Sequence, residues 1–273
     1  AIVYITHKIG DVVELADRVL VMRNGKIVKE FEKGAEAEEI LEAMFGKKIG
    51  KLGKRKRNVG NEMAKIMWEK GEISIKSGEI YGIWGISGNG QREIFQGICK
   101  GKYVNLERKK ISVGSSDLRF STLREMSVFE NYLLGFLEKF NEYKAKKEFF
   151  EKILKKYEIK AKLDQRVGEL SGGNLQKVIL SRTIESAREL KKKLVVLYNP
   201  MVNLDENSKT LFWKEIINLA NHGISVLIFT EDEEDLKYCD RVGVIRRGRI
   251  VYEKVAEDFD LKRGYREMVK VNL

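Results

Sequence analysis

The chain has no apolar run of 18 or more residues, so nothing in its sequence is long enough to span a bilayer as a helix. Of its two cysteines, Cys99 and Cys239 stand far apart and neither belongs to a C-x-x-C pair, which excludes a disulfide framework and a cysteine-rich zinc site and points to a reducing, cytosolic setting. Signal-peptide zones are also missing. The first residues, Ala1-Ile-Val-Tyr-Ile5, open directly on a β-branched strand pattern, as expected of a chain that continues something longer. One-sign charge is scarce as well. Although Lys and Arg number 52 against 41 Asp and Glu, they are interleaved almost everywhere, which reads as a solvated Lys/Glu-rich surface and not as a nucleic-acid face. Only Lys47 to Arg57 is a basic run, rich in Gly and Lys; it reads as a linker, with a weak contact to anionic lipid headgroups as its other use.

What is present is about twice the length of a typical domain, enough for a large core, and an internal repeat. Ile2-Val-Tyr-Ile-Thr6-His7, Asp11, Asp17-Arg-Val19, Arg23 and Gly25-Lys-Ile-Val28 run parallel to Val226-Leu-Ile-Phe-Thr230-Glu231, Asp235, Asp240-Arg-Val242, Arg246 and Gly248-Arg-Ile-Val251. His7 aligns with Glu231, 224 positions on, and Gly25 with Gly248, 223 positions on. Each copy reads as a buried strand, a polar helix, a second strand and a glycine turn. The period is domain-sized. The chain is therefore expected to hold the end of one domain (1–46), a basic linker (47–62) and a second copy of that domain (63–273).

A glycine loop follows the apolar run Ile80-Tyr-Gly-Ile-Trp84: Gly85-Ile86-Ser87-Gly88-Asn89-Gly90-Gln91-Arg92, leading into a helical pattern. Strand, glycine loop and helix are the context of a phosphate-binding loop, in which backbone N–H groups and a helix N-terminus face an anion. Gly85 and Gly90 hold the spacing G-x-x-x-x-G-K-[ST]. Gln91, however, replaces the lysine, and Arg92 replaces the hydroxyl residue that would ligate Mg²⁺.

Leu170-Ser171-Gly172-Gly173-Asn-Leu-Gln176-Lys-Val178 resembles the LSGGQ-type signature of ATP-binding cassette (ABC) proteins, in the form found in tandem-cassette importers of carbohydrates and nucleosides. Ser171 is placed to cap a helix whose N-terminal donors would face a γ-phosphate on an opposing cassette. Met126-Ser-Val-Phe-Glu-Asn131, Leu194-Val-Val-Leu-Tyr198-Asn199-Pro200 and Asn203-Leu-Asp205 follow in the order the resemblance implies, the last as a D-loop. The fold so implied is α/β: a P-loop NTPase-like ABC cassette with a mostly parallel core sheet, an antiparallel β subdomain and a small helical subdomain around 120 to 170. The Gly88-Asn-Gly-Gln91 wording and the Glu231-Asp232 pair look more like nucleoside-type second cassettes than sugar-type ones.

Against that family pattern, Tyr198 stands where the Mg²⁺-organising Asp belongs, Asn199 where the catalytic Glu belongs, Glu231 where the switch His belongs and Ser115 nearest the Q-loop glutamine. With Gln91 and Arg92, six positions depart together, which implies a site that does not hydrolyse ATP. Because cassettes pair head to tail, Ser171 would serve the phosphate loop of the first cassette, to which His7 also belongs. The resemblance thus implies ATP, with Mg²⁺ only in that composite site; transmembrane permease subunits as partners; and a peripheral place on the cytoplasmic membrane face. The rival expectations are a soluble twin-cassette factor acting on ribosomes or DNA, and a regulatory nucleotide-binding module. Trp68 and His222 read as packing residues.

Overall fold

The computed structural model describes residues 2–5, 12, 13, 15–23, 25–36, 39, 40, 42, 43, 59–117 and 121–269. His7 and the Lys47 to Arg57 run lie outside these residues. The strands are β1 (Arg18–Arg23), β2 (Lys26–Glu32), β3 (Glu62–Trp68), β4 (Gly71–Lys76), β5 (Ile80–Trp84), β6 (Ile111–Ser115), β7 (Leu194–Tyr198), β8 (Ser225–Thr230), β9 (Arg241–Arg246) and β10 (Arg249–Val255). The α-helices are α1 (Gln91–Cys99), α2 (Val128–Leu133), α3 (Phe140–Lys144), α4 (Lys147–Lys156), α5 (Gly172–Glu189), α6 (Glu206–Asn221) and α7 (Leu261–Val269). None of them is long and apolar enough to cross a membrane.

Six strands form the central sheet in the order β10-β9-β5-β8-β7-β6. All neighbours are parallel except the β9–β10 hairpin. Strands of this kind are covered on both faces, so their sequences are continuous apolar runs and alternate residues feed opposite layers. Val195, Leu197, Val226 and Ile228 join the apolar layer under α5 and α6, with Phe212 and Ile216. Leu194, Val196, Leu227 and Phe229 face the other layer, where Phe95 and Ile98 of α1 and Ile73 and Ile75 of β4 pack. That second layer is closed by the antiparallel β3–β4 pair.

The small helical region lies where expected, carried by α2, α3 and α4. Its centre is aromatic: Phe136 meets Tyr143, Phe149 and Phe150 at centroid distances of 4.3, 5.8 and 5.5 Å. Ser127 opens α2 through a capping box with Glu130.

The repeat recurs in local geometry. In the β1–β2 hairpin Arg23 faces Lys26 and Met22 faces Ile27, after which Val28 is skipped and Lys29 faces Val21. In the β9–β10 hairpin Arg246 faces Arg249 and Ile245 faces Ile250, after which Val251 is skipped and Tyr252 faces Val244. The bulge falls at the same place, and the glycines at the turns have φ of 76° at Gly25 and 81° at Gly248, a region open to glycine. Even an ion pair is shared: Arg18 meets Glu30 at 3.2 Å and Arg241 meets Glu253 at 2.9 Å.

Burial separates the copies. Val226 to Phe229 are wholly buried in β8, whereas Ile2 and Ile5 are 95% and 94% exposed and form no strand, contrary to the strand expected there. A strand needs a neighbour to satisfy its backbone groups, and none pairs with residues 2–5 among the described residues.

Candidate functional site

The C-terminal ends of β5, β8, β7 and β6 lie side by side and deliver Gly85, Glu231, Tyr198–Asn199 and Ser115 to one edge of the sheet, where open α/β folds bind ligands. The glycine loop begins there. Gly85 donates its N–H to the Thr230 carbonyl at 3.2 Å, and Asn89 donates to the Ile86 carbonyl at 3.1 Å. Gly88 and Gly90 take φ of 87° and 106°, and α1 starts directly after Gly90. Ser87 and Gly88 are exposed at the tip. The loop shape is thus intact.

Its side chains are turned inward. Gln91 is buried, and its amide donates to the Ile86 carbonyl at 3.3 Å. A methyl group on Gly85 would meet that amide nitrogen at 2.6 Å, so the Gln91 side chain lies across the base of the loop. Arg92 is bonded to Asp117 at 2.6 Å. Sequence reading missed Asp117, although an acid just past the β6 end, near an unexpected Arg, is a recognisable signal. It also missed the β9–β10 turn as a wall of the loop: Gly248 donates to the Asn89 carbonyl at 2.7 Å, and Trp68 Nε1 donates to the Gly248 carbonyl at 2.6 Å. Trp68 is therefore a half-buried tether for that turn.

The remaining positions of this edge also pair among themselves. Tyr198 packs its ring 5.4 Å from Phe95, and burial, followed by the charge of Glu231, raises its pKa. Asn199 Nδ2 donates to Glu231 Oε1 at 3.3 Å. Ser115 is fully buried; its Oγ accepts from the Asp117 N–H and its own N–H donates to Ser121 Oγ, both at 2.9 Å. These residues do not fit Mg²⁺-nucleotide. An arginine paired to a carboxylate and a tyrosine packed on a phenylalanine stand where metal-binding oxygens are needed, and Gln91 supplies no cation.

The signature segment is built differently. Ser171 is the N-cap of α5 and is exposed; its Oγ accepts from the N–H of Asn174 at 3.4 Å and from the Asn174 side-chain amide at 3.1 Å. Exposed Gly172 and half-buried Gly173 form the first turn, beside Asn203, whose carbonyl would lie 3.0 Å from a methyl on Gly173. Gln176 is buried and donates to the Pro200 carbonyl at 2.7 Å, fastening α5 to the turn after β7. Asp205 caps α6, with its two carboxylate oxygens accepting from the N–H and Oγ of Ser208 at 2.9 and 2.8 Å; these bonds lower its pKa. His222 closes the other end of α6, Nδ1 lying 2.8 Å from the Asn218 carbonyl. The helix end at Ser171 is accordingly open and rigidly placed.

Comparison with known proteins agrees with this geometry. Residues 69–191 match the family model described as ABC transporter. The chain is 30% identical to the xylose import ATP-binding protein XylG of Geobacillus kaustophilus over 92% of its own length and 57% of that protein's. It is 28% identical to the ribose import ATP-binding protein RbsA of Oceanobacillus iheyensis, over 94% of its own length and 58% of that protein's. The chain spans a little over half the length of these relatives. Among solved structures, a dimeric ATP-binding cassette in a post-hydrolysis state with ADP and Pi has a TM-score of 0.57 at 19% identity, covering 74% of this chain and 99% of that one. The ATP-binding subunit of an ABC transporter has a TM-score of 0.58 at 15% identity, covering 78% of this chain and 98% of that one. The glycine loop, the capped signature helix and the parallel sheet between them share the fold of these ATP-binding cassettes, and residues 69–191 match the ABC transporter family model.

Proposed function

We propose that this chain is the C-terminal portion of a tandem-cassette ATP-binding subunit that powers import of sugar- or nucleoside-type solutes. Residues 1–46 end the first cassette, 47–62 link, and 63–273 form a second cassette whose own nucleotide site is degenerate. The observation that carries this reading is the contrast between the two halves of the site. Ser171 and the first turn of α5 stand open, while Gln91, Arg92, Tyr198, Asn199 and Glu231 are engaged with neighbouring protein groups. An open helix N-terminus offers backbone donors and partial positive charge to an anion held by something else.

The repeated hairpin supports the tandem arrangement. The two hairpins share one register, yet Leu20, Met22 and Ile27 are exposed in the first while Val242, Val244 and Ile245 are buried in the second, which supports covering strands for the first copy that lie in another cassette. In the second copy Arg241 stacks 4.0 Å over Tyr81 and meets Glu79 at 2.7 Å, both at or next to β5, which leads into the phosphate loop. Arg18 has no such strand among the described residues. A first cassette supplies it, together with the phosphate loop, Mg²⁺ ligand and catalytic carboxylate of the composite site. The relatives named for xylose and ribose import favour a sugar-type solute, while the Gly88-Asn-Gly-Gln91 loop favours a nucleoside. Permease subunits are the membrane partners, and the subunit sits on the cytoplasmic face.

The test is an asymmetry in the full-length twin-cassette protein. Ser171→Arg and His7→Ala abolish ATP hydrolysis, by blocking the helix end and by removing a contact to the γ-phosphate. Asn199→Ala and Glu231→Ala leave most of the turnover. The opposite pattern overturns the composite-site reading.

A further inference from the structure

The first turn of α1 carries a cation where helix physics asks for an anion. Backbone N–H groups at a helix N-terminus bear partial positive charge, and Arg92, the second residue of α1, adds a full one. The N-cap is Gly90, which has no side chain to accept from those N–H groups. Within the loop Asn89 is 9% exposed, and its Nδ2 donates to nothing among the described residues. A polar atom left unpaired at that depth is costly, and a ligand acceptor would satisfy it.

The chain supplies the missing anion itself. Asp117, 25 positions on, meets the Arg92 guanidinium at 2.6 Å and is 18% exposed by side chain. It is held from its own backbone: its N–H donates to Oγ of fully buried Ser115 at 2.9 Å. The surroundings are otherwise acidic. Of the charged groups that act on Tyr198, Glu231, Glu93 and Asp117 are acids and Arg92 is a cation. An incoming phosphate chain therefore meets like charge from Asp117 and a guanidinium that is already engaged.

We propose that Asp117 is a built-in competitor for the phosphate loop: its carboxylate holds the Arg92 guanidinium, which stands in place of the Mg²⁺-ligating hydroxyl, and so closes the second site to nucleotide. With Asp117 withdrawn, Arg92 serves as a resident cation and the loop takes a nucleoside triphosphate without metal. The phosphate oxygens then accept from Arg92, from Asn89 Nδ2 and from the loop N–H groups. A guanidinium suits this exchange, because its planar fork of donors fits phosphate as well as carboxylate. The Arg92 side chain is 42% exposed, so the pair is screened by water and costs little to break. The proposal rests on the reading of this site as degenerate and adds what keeps it closed.

The experiment is calorimetry of the chain with millimolar ATP in EDTA, comparing the unchanged protein with Asp117→Asn and Asp117→Ala, each checked for folding by circular dichroism. Both substitutions remove a negative charge and free the guanidinium, and both are expected to tighten ATP binding at least fivefold. Adding Arg92→Ala to Asp117→Asn is expected to return the affinity to that of the unchanged protein or below. Mg²⁺ should change the affinity of Asp117→Asn by less than twofold, and inorganic tripolyphosphate, unlike adenosine, should displace the ATP. No gain in either Asp117 variant, a gain that survives Arg92→Ala, a gain that requires Mg²⁺, or displacement by adenosine but not by tripolyphosphate overturns the proposal. Two unfolded Asp117 variants would make the pair a structural one and overturn it as well. Hydrolysis by the twin-cassette protein reads the composite site separately: a failed asymmetry test leaves the Asp117 result standing, and no gain here leaves the composite site standing.

Discussion

Arg92 on α1 and Asp117 beyond β6 meet at 2.6 Å, which puts a protein ion pair where a phosphate-loop hydroxyl would otherwise bind a metal. The Asp117 N–H donates to Ser115 Oγ, the Ser115 N–H to Ser121 Oγ, and the Ser121 carbonyl accepts from Arg182. A connected chain of polar contacts thus runs from the phosphate loop to Arg182 of α5. Arg92 is 42% exposed by side chain, so water screens the pair. A double-mutant cycle of Arg92→Ala and Asp117→Ala, read by urea unfolding, is expected to give a coupling of about 0.5–1 kcal/mol. Zero coupling would show that the pair contributes nothing to stability.

The isolated chain is expected to show no Mg²⁺-dependent phosphate release. Anions should still be attracted to the backbone donors of the Gly85 to Gly90 loop, because its shape depends on glycine and not on the replaced side chains. Calorimetry with ATP should therefore show weak binding that changes by less than about threefold when Mg²⁺ is added. Tight binding that requires Mg²⁺ would contradict the roles given to Arg92 and Tyr198.

Asp235 supplies a pH dependence. It is buried where β8 turns into the 3₁₀ segment Glu233–Tyr238, accepts from Thr230 Oγ1 at 2.6 Å, and is surrounded by Trp213, Asp232 and Lys209. Burial, the leading cause, raises its pKa to about 7. A carboxyl that holds its proton more tightly when folded contributes most below its unfolded pKa of about 4, and that contribution is lost as pH rises to 7. Asp235→Asn should flatten the fall in stability between pH 4 and 7 and raise stability at pH 8 by on the order of 3 kcal/mol. Parallel urea curves at pH 5 and pH 8 check this; an unchanged slope in the variant would show that Asp235 does not titrate in that window.

Much of the fold is written locally. Continuous apolar runs such as Leu194 to Leu197 and Val226 to Phe229 announce two-sided parallel strands, and the Gly85 to Gly90 spacing announces the loop, because strand burial and positive φ depend on residue type. The hairpins of the repeat and the caps at Ser171 and Asp205 also follow from contacts a few residues apart. The contacts of Asp117, Gly248 and Arg182 were not legible in this way. Each joins segments separated by 25 or more positions, and nothing in the local pattern says which acid an arginine will meet.

The sequence by itself determined the glycine loop, the signature cap and a hairpin written twice in one register. Only the tertiary structure decided what those pieces do. It folds the Gln91 amide over the base of the loop, ties Arg92 to Asp117, and buries β9 against β5 while Ile2, Val3 and Ile5 remain exposed. The reason is physical: turns, caps and strand propensities are settled within a few residues, whereas burial and charge pairing depend on which distant strand arrives alongside.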